Sequence, residues 1–463
     1  MKVHLSAICG TAMASLAGLL RERGDVVTGS DQDVYPPMST QLAELGIEVR
    51  SPYDERNVPE DADLVVIGNA LSRGNPEVEA VLDRRQRMTS LPALLAEEFL
   101  RPKTSLVVAG THGKTTTTSL LAFLLDKAGL DPSFLVGGVP VDFGRSYRRG
   151  GGRHFVVEGD EYDSAFFDKR PKFVHYLPDV AVIGNVEFDH ADIYPDLAAV
   201  QTAFVRLLNV IPRKGLLVAG AESPALREIL PRALCRVETF AVEGEADWQA
   251  REVRAEGGGT SFRLRRKGAD LGEFRLALSG EHNVRNALAA LAVAAEAGVD
   301  PAATRSSLAA FGGVKRRLEV RGRPRGVTVY DDFAHHPTAI RATLAALRAA
   351  GPGRLVAVFE PRSFTSRTRV FQEDFGRAFA DADRVIVAAA HLPGKVPEGE
   401  RLSEAELVET VRRAGTAADV VPTVDAIVER LAGELRAGDR VVILSNGGFG
   451  GIHDKLLQAL GEA

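Results

Sequence analysis

A glycine-rich stretch, VVAGTHGKTTTTSL at 107–120, contains the residue types that bind the phosphates of a nucleotide. Gly110 and Gly113 precede Lys114 and Thr115, and valine stands at 108, where the common G-x-x-x-x-G-K-[ST] pattern has glycine. Backbone N–H groups of such a loop, with the start of the following helix, attract phosphate oxygens. Lys114 can neutralise the outer phosphates, and the Thr115 hydroxyl can hold Mg²⁺. The alternative is a turn that only joins strand to helix, but β-branched threonines are poor helix starters unless their hydroxyls are used. We therefore predict a nucleotide-binding loop of Gly110, Thr111, His112, Gly113, Lys114, Thr115 and Thr116.

Carboxylates follow the next two apolar runs of the chain. VVEGDEYDS holds Glu158, Asp160, Glu161 and Asp163, and IGNVEFDHADIY holds Asn185, Glu187, Asp189, His190 and Asp192. Ligands of open α/β sheets bind outside the carboxyl ends of the strands, and clustered carboxylates there suit a hard divalent cation. A solvated acidic turn and a structural histidine are the alternatives. With a phosphate loop on the preceding strand, we predict a metal site.

Further polar groups occur near the start of two later helices. Asn283 and Asn286 lie on one face of the helix in GEHNVRNALAA. The alternative for one residue is that His282 or Asn283 caps the helix, and the second asparagine on that face is then still available to contact the nucleotide. YDDFAHHPTAI contains Asp331, Asp332, His335 and His336. Adjacent histidines point in different directions, so we interpret this stretch as a polar patch that closes over a nucleotide from another domain. Arg317 can reach the same phosphates.

The elements that must position these groups alternate as strand, helix, strand, which predicts three α/β domains. We expect a Rossmann-like N-terminal domain at 1–101, with strands at 3–9 and 25–28 and helices at 11–23 and from Asn75. A central P-loop ATPase domain at 102–312 carries added antiparallel strands from residue 246. A Rossmann-like C-terminal domain follows at 313–463. GRSYRRGGGR is interpreted as a solvated loop.

Composition limits the classes of function. The chain has 463 residues, 45% of them apolar, and a formal charge of −5, which gives no support to nucleic-acid binding. Two isolated cysteines, Cys9 and Cys235, form no zinc or disulfide pattern, so we expect a cytoplasmic protein. No apolar run is long enough for a transmembrane helix, and nothing in the sequence requires an oligomer.

The ordered set GTHGKTTTT, EGDEYDS, NVEFDHAD, GEHNVRNALAA, KRRLEV and DDFAHHPTAI resembles the Mur ligases, ATP-dependent enzymes that form amide bonds. The resemblance runs from end to end. ICGTAM and TGSD are similar to the branch whose carboxylate substrate is UDP-N-acetylmuramate. DVYPPMST, EGDEYDSAFFDKRPKFVHY, FDHADIY, FEPRS and SNGGFGGIHDKL are similar to the peptidoglycan-recycling members, which attach the tripeptide L-alanyl-γ-D-glutamyl-meso-diaminopimelate. The alternative is the L-alanine-adding branch, which has EADESD where this chain has EGDEYD.

The resemblance implies a role for each predicted residue. Lys114, Glu158, His190, Arg317 and Asp332 would be catalytic, with Mg²⁺ on Thr115 and Glu158 and a second cation on His190. Asn283, Asn286, Arg317, Asp332 and His335 would complete the ATP site. The substrates would contact Gly10, Thr11, Met13, Ser30, Asp31, Ser72, His112 and Arg362. Phe204 ends AAVQTAF, which offers no lysine for the carbamylation seen in some relatives, so no modified lysine is predicted.

Two other classes compete with a ligase. Asp31 follows Gly10 by 21 residues, as in an NAD(P)-binding fingerprint, but Met13 and Ser15 replace the later glycines of that pattern. A binding protein that uses the phosphate loop as a switch would need no acceptor amine.

Overall fold

Three sheets, each in an α/β arrangement, organise the chain. The computed structural model describes residues 1–34, 38–392 and 396–461, so residues 35–37 of DVYPPMST lie outside the described residues. Parallel strands dominate each of the three sheets. The predicted fold class is therefore confirmed, whereas the domain limits stay predictions.

The N-terminal sheet is parallel, with strand order β3-β2-β1-β4-β5. Asn75 caps α3 by accepting hydrogen bonds from the N–H groups of Glu77 and Val78, and Pro76 occupies the first turn, as the sequence predicts. Its elements are β1 Lys2–Ser6, α1 Thr11–Arg23, β2 Val26–Ser30, α2 Met38–Glu44, β3 Val49–Arg50, β4 Leu64–Ile67, α3 Pro76–Asp83, β5 Met88–Ser90 and α4 Leu91–Leu95.

The central sheet is the largest, with order β17-β16-β15-β14-β13-β12-β6-β9-β7-β8. Its middle is parallel, and β15, β16 and β17 form the predicted antiparallel extension. Its elements are β6 Thr104–Ala109, α5 Lys114–Lys127, β7 Ser133–Leu135, β8 Tyr147–Arg148, β9 His154–Glu158, β10 Asp163–Ala165, β11 Asp168–Pro171, β12 Val180–Ile183, α6 Leu197–Val210, β13 Leu216–Gly220, α7 Pro224–Ile229, β14 Arg236–Ala241, β15 Trp248–Glu256, β16 Gly259–Arg266, β17 Ala269–Leu276, α8 Glu281–Glu296 and α9 Arg305–Ala310. β10 and β11 form a separate hairpin.

The C-terminal sheet has order β18-β19-β23-β20-β21-β22, with only the β18–β19 pair antiparallel among the described strands. Its elements are β18 Glu319–Gly322, β19 Thr328–Asp332, α10 Pro337–Ala349, β20 Leu355–Phe359, α11 Phe364–Arg367, α12 Gln372–Ala378, β21 Arg384–Val387, α13 Glu404–Arg413, β22 Ala417–Val420, α14 Val424–Glu434, β23 Arg440–Leu444 and α15 Ile452–Ala459.

The N-terminal and central domains share one hydrophobic cluster, which packs the two domains against each other. Gly18 of α1 lies so close to Tyr147 of β8 that a Cβ atom at Gly18 would be 2.0 Å from Tyr147 Cζ. The stretch interpreted as a solvated loop is therefore an interface. Arg145 binds Glu22 of α1 at 2.8 Å, and Tyr147 is buried.

Candidate active site

The loop between β6 and α5 needs its two glycines for backbone conformation and for space. Gly110 and Gly113 have φ of 132° and 83°, values that side-chain-bearing residues rarely adopt. A Cβ atom at Gly113 would also lie 2.3 Å from Asn286 Oδ1. The loop and the start of α8 are thus in contact, as the prediction of a shared nucleotide site requires.

Asn185, at the end of β12, holds this loop in place. The N–H of His112 donates to Asn185 Oδ1 at 2.8 Å, and Asn185 Nδ2 donates back to the His112 carbonyl at 3.2 Å. The N–H of Thr111 donates to the Asn185 carbonyl at 3.0 Å. The backbone of the loop is therefore fixed by a neighbouring strand end, which favours a preformed phosphate cradle.

Lys114 is held by a carboxylate that was not among the predicted catalytic residues. Its Nζ donates to Glu161 Oε2 at 2.8 Å and to the Gly110 carbonyl at 2.7 Å. His190 Nε2 lies 2.9 Å from Glu161 Oε1, and Glu161 is 2% exposed. Burial alone would lower the pKa of Lys114, but the charges of Glu161 and Asp160 outweigh it and raise the pKa above its usual value. The ammonium group therefore stays charged beside the loop.

Thr115 and Glu158 meet as predicted, whereas His190 lies with a different carboxylate. Thr115 Oγ1 donates to Glu158 Oε1 at 3.0 Å, and the N–H of Gly137 donates to Glu158 Oε2 at 2.7 Å. Burial raises the pKa of Glu158. Two side-chain oxygens facing the cleft are donors that suit a hard cation such as Mg²⁺. The structure does not bring His190 to this pair, because its ring contacts Glu161 and Tyr162 instead.

The C-terminal domain contributes Arg317 to the same place. Its Nη2 lies 3.4 Å from Thr115 Oγ1, and its guanidinium group lies over the Phe333 ring at 4.8 Å. Burial lowers the pKa of Arg317, although Asp332 and Glu158 oppose that effect. A cation from one domain thus lies beside the phosphate loop of another.

Asp332 and His335 support the loop that follows β19. Asp332 accepts hydrogen bonds from the N–H groups of Leu318 at 2.7 Å and Ala334 at 2.9 Å. His335 Nδ1 lies 3.0 Å from the Phe333 carbonyl, and burial lowers the pKa of His335. Both side chains line the cleft, and both also fix the backbone that carries Phe333 beneath Arg317.

Neither His282 nor Asn283, the two candidates for a cap, caps α8. The helix begins at Glu281 after Gly280, which has no side chain to cap with. Asn283 Nδ2 donates to the Ser279 carbonyl at 2.8 Å, and Asn286 Nδ2 donates to Asn283 Oδ1 at 3.2 Å. The capping alternative is wrong, and both amides face the cleft.

One cleft of about 2040 Å³ joins these groups across all three domains. Its lining contains most of the predicted site residues: Gly10, Thr11, Met13, Thr111, His112, Gly113, Lys114, Thr115, Thr116, Glu158, His190, Asn283, Asn286, Arg317, Asp332, His335 and Arg362. Arg362 has a partner, since its Nη1 lies 3.5 Å from Glu360 Oε1.

Gly110 and three predicted substrate contacts of the N-terminal domain are not among the lining residues of the described chain. The Ser30 hydroxyl is buried and donates to Glu77 Oε2 at 2.5 Å. Asp31 accepts from the Cys9 N–H at 2.8 Å and from the Tyr53 hydroxyl at 3.0 Å. Ser72 is exposed after β4. These three stay predictions.

Comparison with known proteins places the whole chain in one family. Three family models match successive segments: the Mur ligase family catalytic domain at 2–101, the Mur ligase middle domain at 108–294, and the Mur ligase glutamate ligase domain at 316–447. The chain belongs to the Mur ligase family. It is accordingly an ATP-dependent ligase that forms amide bonds.

Individual Mur ligases match over their full length. The chain is 44% identical to the UDP-N-acetylmuramate–L-alanyl-γ-D-glutamyl-meso-2,6-diaminoheptandioate ligase of Escherichia coli K12, covering 100% of this chain and 99% of that protein. It is 36% identical to the UDP-N-acetylmuramate–L-alanine ligase of Geotalea uraniireducens, covering 99% and 98%. The crystal structure of a murein peptide ligase from Psychrobacter arcticus superposes with a TM-score of 0.75 at 38% identity, covering 100% and 99%.

None of the helices in the described part of this Mur ligase combines the length and apolar character needed to cross a membrane.

Proposed function

We propose that this Mur ligase joins L-alanyl-γ-D-glutamyl-meso-diaminopimelate to UDP-N-acetylmuramate and converts ATP to ADP and phosphate. The geometric observation that carries the ligase chemistry is the approach of Arg317 to the loop that holds Lys114 and Thr115. The choice of tripeptide over L-alanine is supported by the 44% identity to the E. coli tripeptide ligase, against 36–38% for the first L-alanine ligases. A role in peptidoglycan recycling and a cytoplasmic location belong to the same proposal.

The reaction takes place in two steps. The muramate carboxylate attacks the γ-phosphorus of ATP, which forms an acyl phosphate and releases ADP. The α-amino group of the tripeptide then attacks the acyl carbon, and the tetrahedral intermediate expels phosphate to leave an amide. Catalysis of such transfers rests mainly on positioning and charge stabilisation.

Residues of two domains supply that charge. Lys114 and the loop N–H groups would contact the transferring phosphoryl group, and Arg317 would add a second positive charge beside Thr115. Because Glu161 is buried and contacts both Lys114 and His190, it fixes the direction of both side chains. Asn283 and Asn286 contact the nucleotide at the start of α8.

Mg²⁺ fits the oxygen pair of Thr115 and Glu158, and when bound it neutralises charge on the phosphates. Glu158 is held ready for this role by Gly137, and Thr115 by Glu158 itself. His190 is proposed as a second cation ligand, but only if its ring leaves Glu161.

ADP release in the presence of ATP, Mg²⁺ and UDP-N-acetylmuramate tests the proposal. The tripeptide should stimulate turnover strongly, and mass spectrometry should detect the UDP-N-acetylmuramyl-tripeptide. L-Alanine at the same concentration is the matched comparison. If only L-alanine stimulates turnover, the protein is an L-alanine-adding ligase and the proposed acceptor is wrong. If neither amine stimulates turnover, the proposed ligase reaction is wrong.

A further inference from the structure

Two imidazoles and one carboxylate meet where the central and C-terminal domains touch. His112 belongs to the phosphate loop, Glu187 follows β12, and His336 immediately precedes α10. His112 Nε2 lies 3.4 Å from Glu187 Oε2, and His336 Nδ1 lies 4.0 Å from the same oxygen. One ligand atom from each of the three residues lies within 4.8 Å of the others. The group is distinct from Thr115 and Glu158.

These separations suit a small transition-metal ion. Ligand atoms about 2.1 Å from a tetrahedral Zn²⁺ are about 3.4 Å apart. The His112–Glu187 separation already has this value, and the His336–Glu187 separation is longer by a fraction of an ångström. The three ligand atoms lie within 4.8 Å of one another, so an ion would draw the two rings closer together.

The tautomer of His336 leaves its unprotonated nitrogen on the side of Glu187. Its Nε2 lies 3.2 Å from the Phe188 carbonyl, which can only accept, so Nε2 carries the proton. The Nδ1 atom is therefore unprotonated and accepts the N–H of Thr338 at 3.3 Å. Because Nδ1 has one lone pair, a metal ion would have to replace this weak hydrogen bond. Histidines that bind metals commonly donate their other N–H to a carbonyl in this way.

The two remaining ligands are also oriented. The Thr338 hydroxyl donates to Glu187 Oε2 at 2.7 Å and holds that carboxylate toward the rings. His112 Nε2 is buried and has no hydrogen-bond partner in the described part of the chain. The 3.4 Å approach to Glu187 leaves this nitrogen without a hydrogen bond, whereas a metal ion would use it.

We propose that His112, Glu187 and His336 form a binding site for a zinc-class transition-metal ion that joins the central and C-terminal domains. The two nitrogen donors favour Zn²⁺ or Co²⁺ over Mg²⁺, which prefers oxygen. All three residues line the cleft, so an ion can enter and water can occupy its fourth position. The two histidine ligands, His112 and His336, come from different domains. His335, although adjacent to His336 in the sequence, is not a ligand.

Zinc binding to the chelator-treated full-length protein, in excess Mg²⁺, is the direct test. Equilibrium dialysis should show a Zn²⁺ site in the wild type whose affinity falls at least about tenfold in Glu187→Gln and His336→Asn. Asparagine preserves the helix cap that His336 provides. His335→Asn, a change at the neighbouring ring, and Glu158→Gln, a change at the oxygen pair, should both retain the wild-type affinity.

Three outcomes would overturn the site: no zinc binding by the wild type, wild-type affinity in both ligand variants, or loss of binding in Glu158→Gln. The absorption spectrum of Co²⁺ on the wild type decides the matter if a variant does not fold. Strong visible bands are expected from four-coordinate Co²⁺, and weak six-coordinate bands contradict the proposal. Neither readout depends on ligase turnover, so failure here leaves the proposed function unaffected.

Discussion

The phosphate loop and the strand ends of the N-terminal domain use polar residues in opposite ways. Around the loop, Lys114 and Glu161 form a buried ion pair that lies beside the cleft. In the N-terminal domain, the Ser6 and Ser30 hydroxyls both donate to the fully buried Glu77. The first arrangement presents charge to a ligand, and the second satisfies a carboxylate inside the fold. Polar residues at strand ends therefore indicate a ligand site only where their groups remain available to the cleft.

Removal of the loop ammonium should have the largest effect on catalysis. Lys114→Ala is expected to lower kcat by at least about 10³-fold, because the transferring phosphoryl group loses the ammonium group of the loop. ADP release measures the loss, and circular dichroism checks the fold. Lys127→Ala changes an exposed lysine at the end of the same helix and should leave kcat unchanged. Normal turnover by Lys114→Ala would contradict a role of this loop in phosphoryl transfer.

Glu161→Gln tests whether this buried carboxylate positions Lys114 and His190. Loss of its charge lowers the pKa of Lys114 and releases both side chains, so kcat should fall about 10²-fold. The free energy of unfolding should fall by about 3 kcal/mol, since a buried cation loses its partner. Asp163→Asn is the matched change, because Asp163 pairs with an exposed Lys169 in the same stretch. A variant with wild-type kcat and KM for ATP would contradict the positioning role.

Local signals carried the correct predictions. The helix predicted at 11–23 occupies Thr11–Arg23, and Asn75 with Pro76 starts α3, because caps and periodicity act within a few residues. The sequence did not separate Glu161 from the carboxylates beside it, since only the packed structure decides which one turns inward. The contact of Arg145 with Glu22 joins residues 123 positions apart, and no local pattern indicates it.

Glu77→Gln should show the contrasting behaviour in the N-terminal domain. The amide can accept fewer hydrogen bonds than the carboxylate, so the free energy of unfolding should fall by about 1–3 kcal/mol. The kcat of the folded enzyme should stay near the wild-type value, because Glu77 does not line the cleft. Glu79 lies on the same helix as Glu77, and its ion pair with Arg73 is exposed. Glu79→Gln should therefore lower the free energy of unfolding by less than Glu77→Gln does. A large rise in KM for UDP-N-acetylmuramate with unchanged stability would assign this cluster to substrate binding.

The pH dependence of that stability difference is the smallest effect and the sharpest test of the contrast. Burial alone would raise the pKa of Glu77, but the neighbouring His4, Ser30 and Ser6 side chains outweigh it and hold the pKa below its usual 4.5. A carboxylate whose pKa is lower in the folded state stabilises the fold above the unfolded pKa. The advantage of the wild type over Glu77→Gln should therefore be complete above pH 4.5 and decline as the pH falls further, as denaturant unfolding would show. Ser30→Ala removes one donor to the carboxylate and so brings the pKa of Glu77 closer to 4.5. When proteins with and without Glu77→Gln are compared and both carry Ser30→Ala, the decline should therefore end at a higher pH. If the advantage instead grows as the pH falls from neutral, the folded pKa of Glu77 lies above 4.5, burial dominates it and the hydroxyls do not serve this carboxylate.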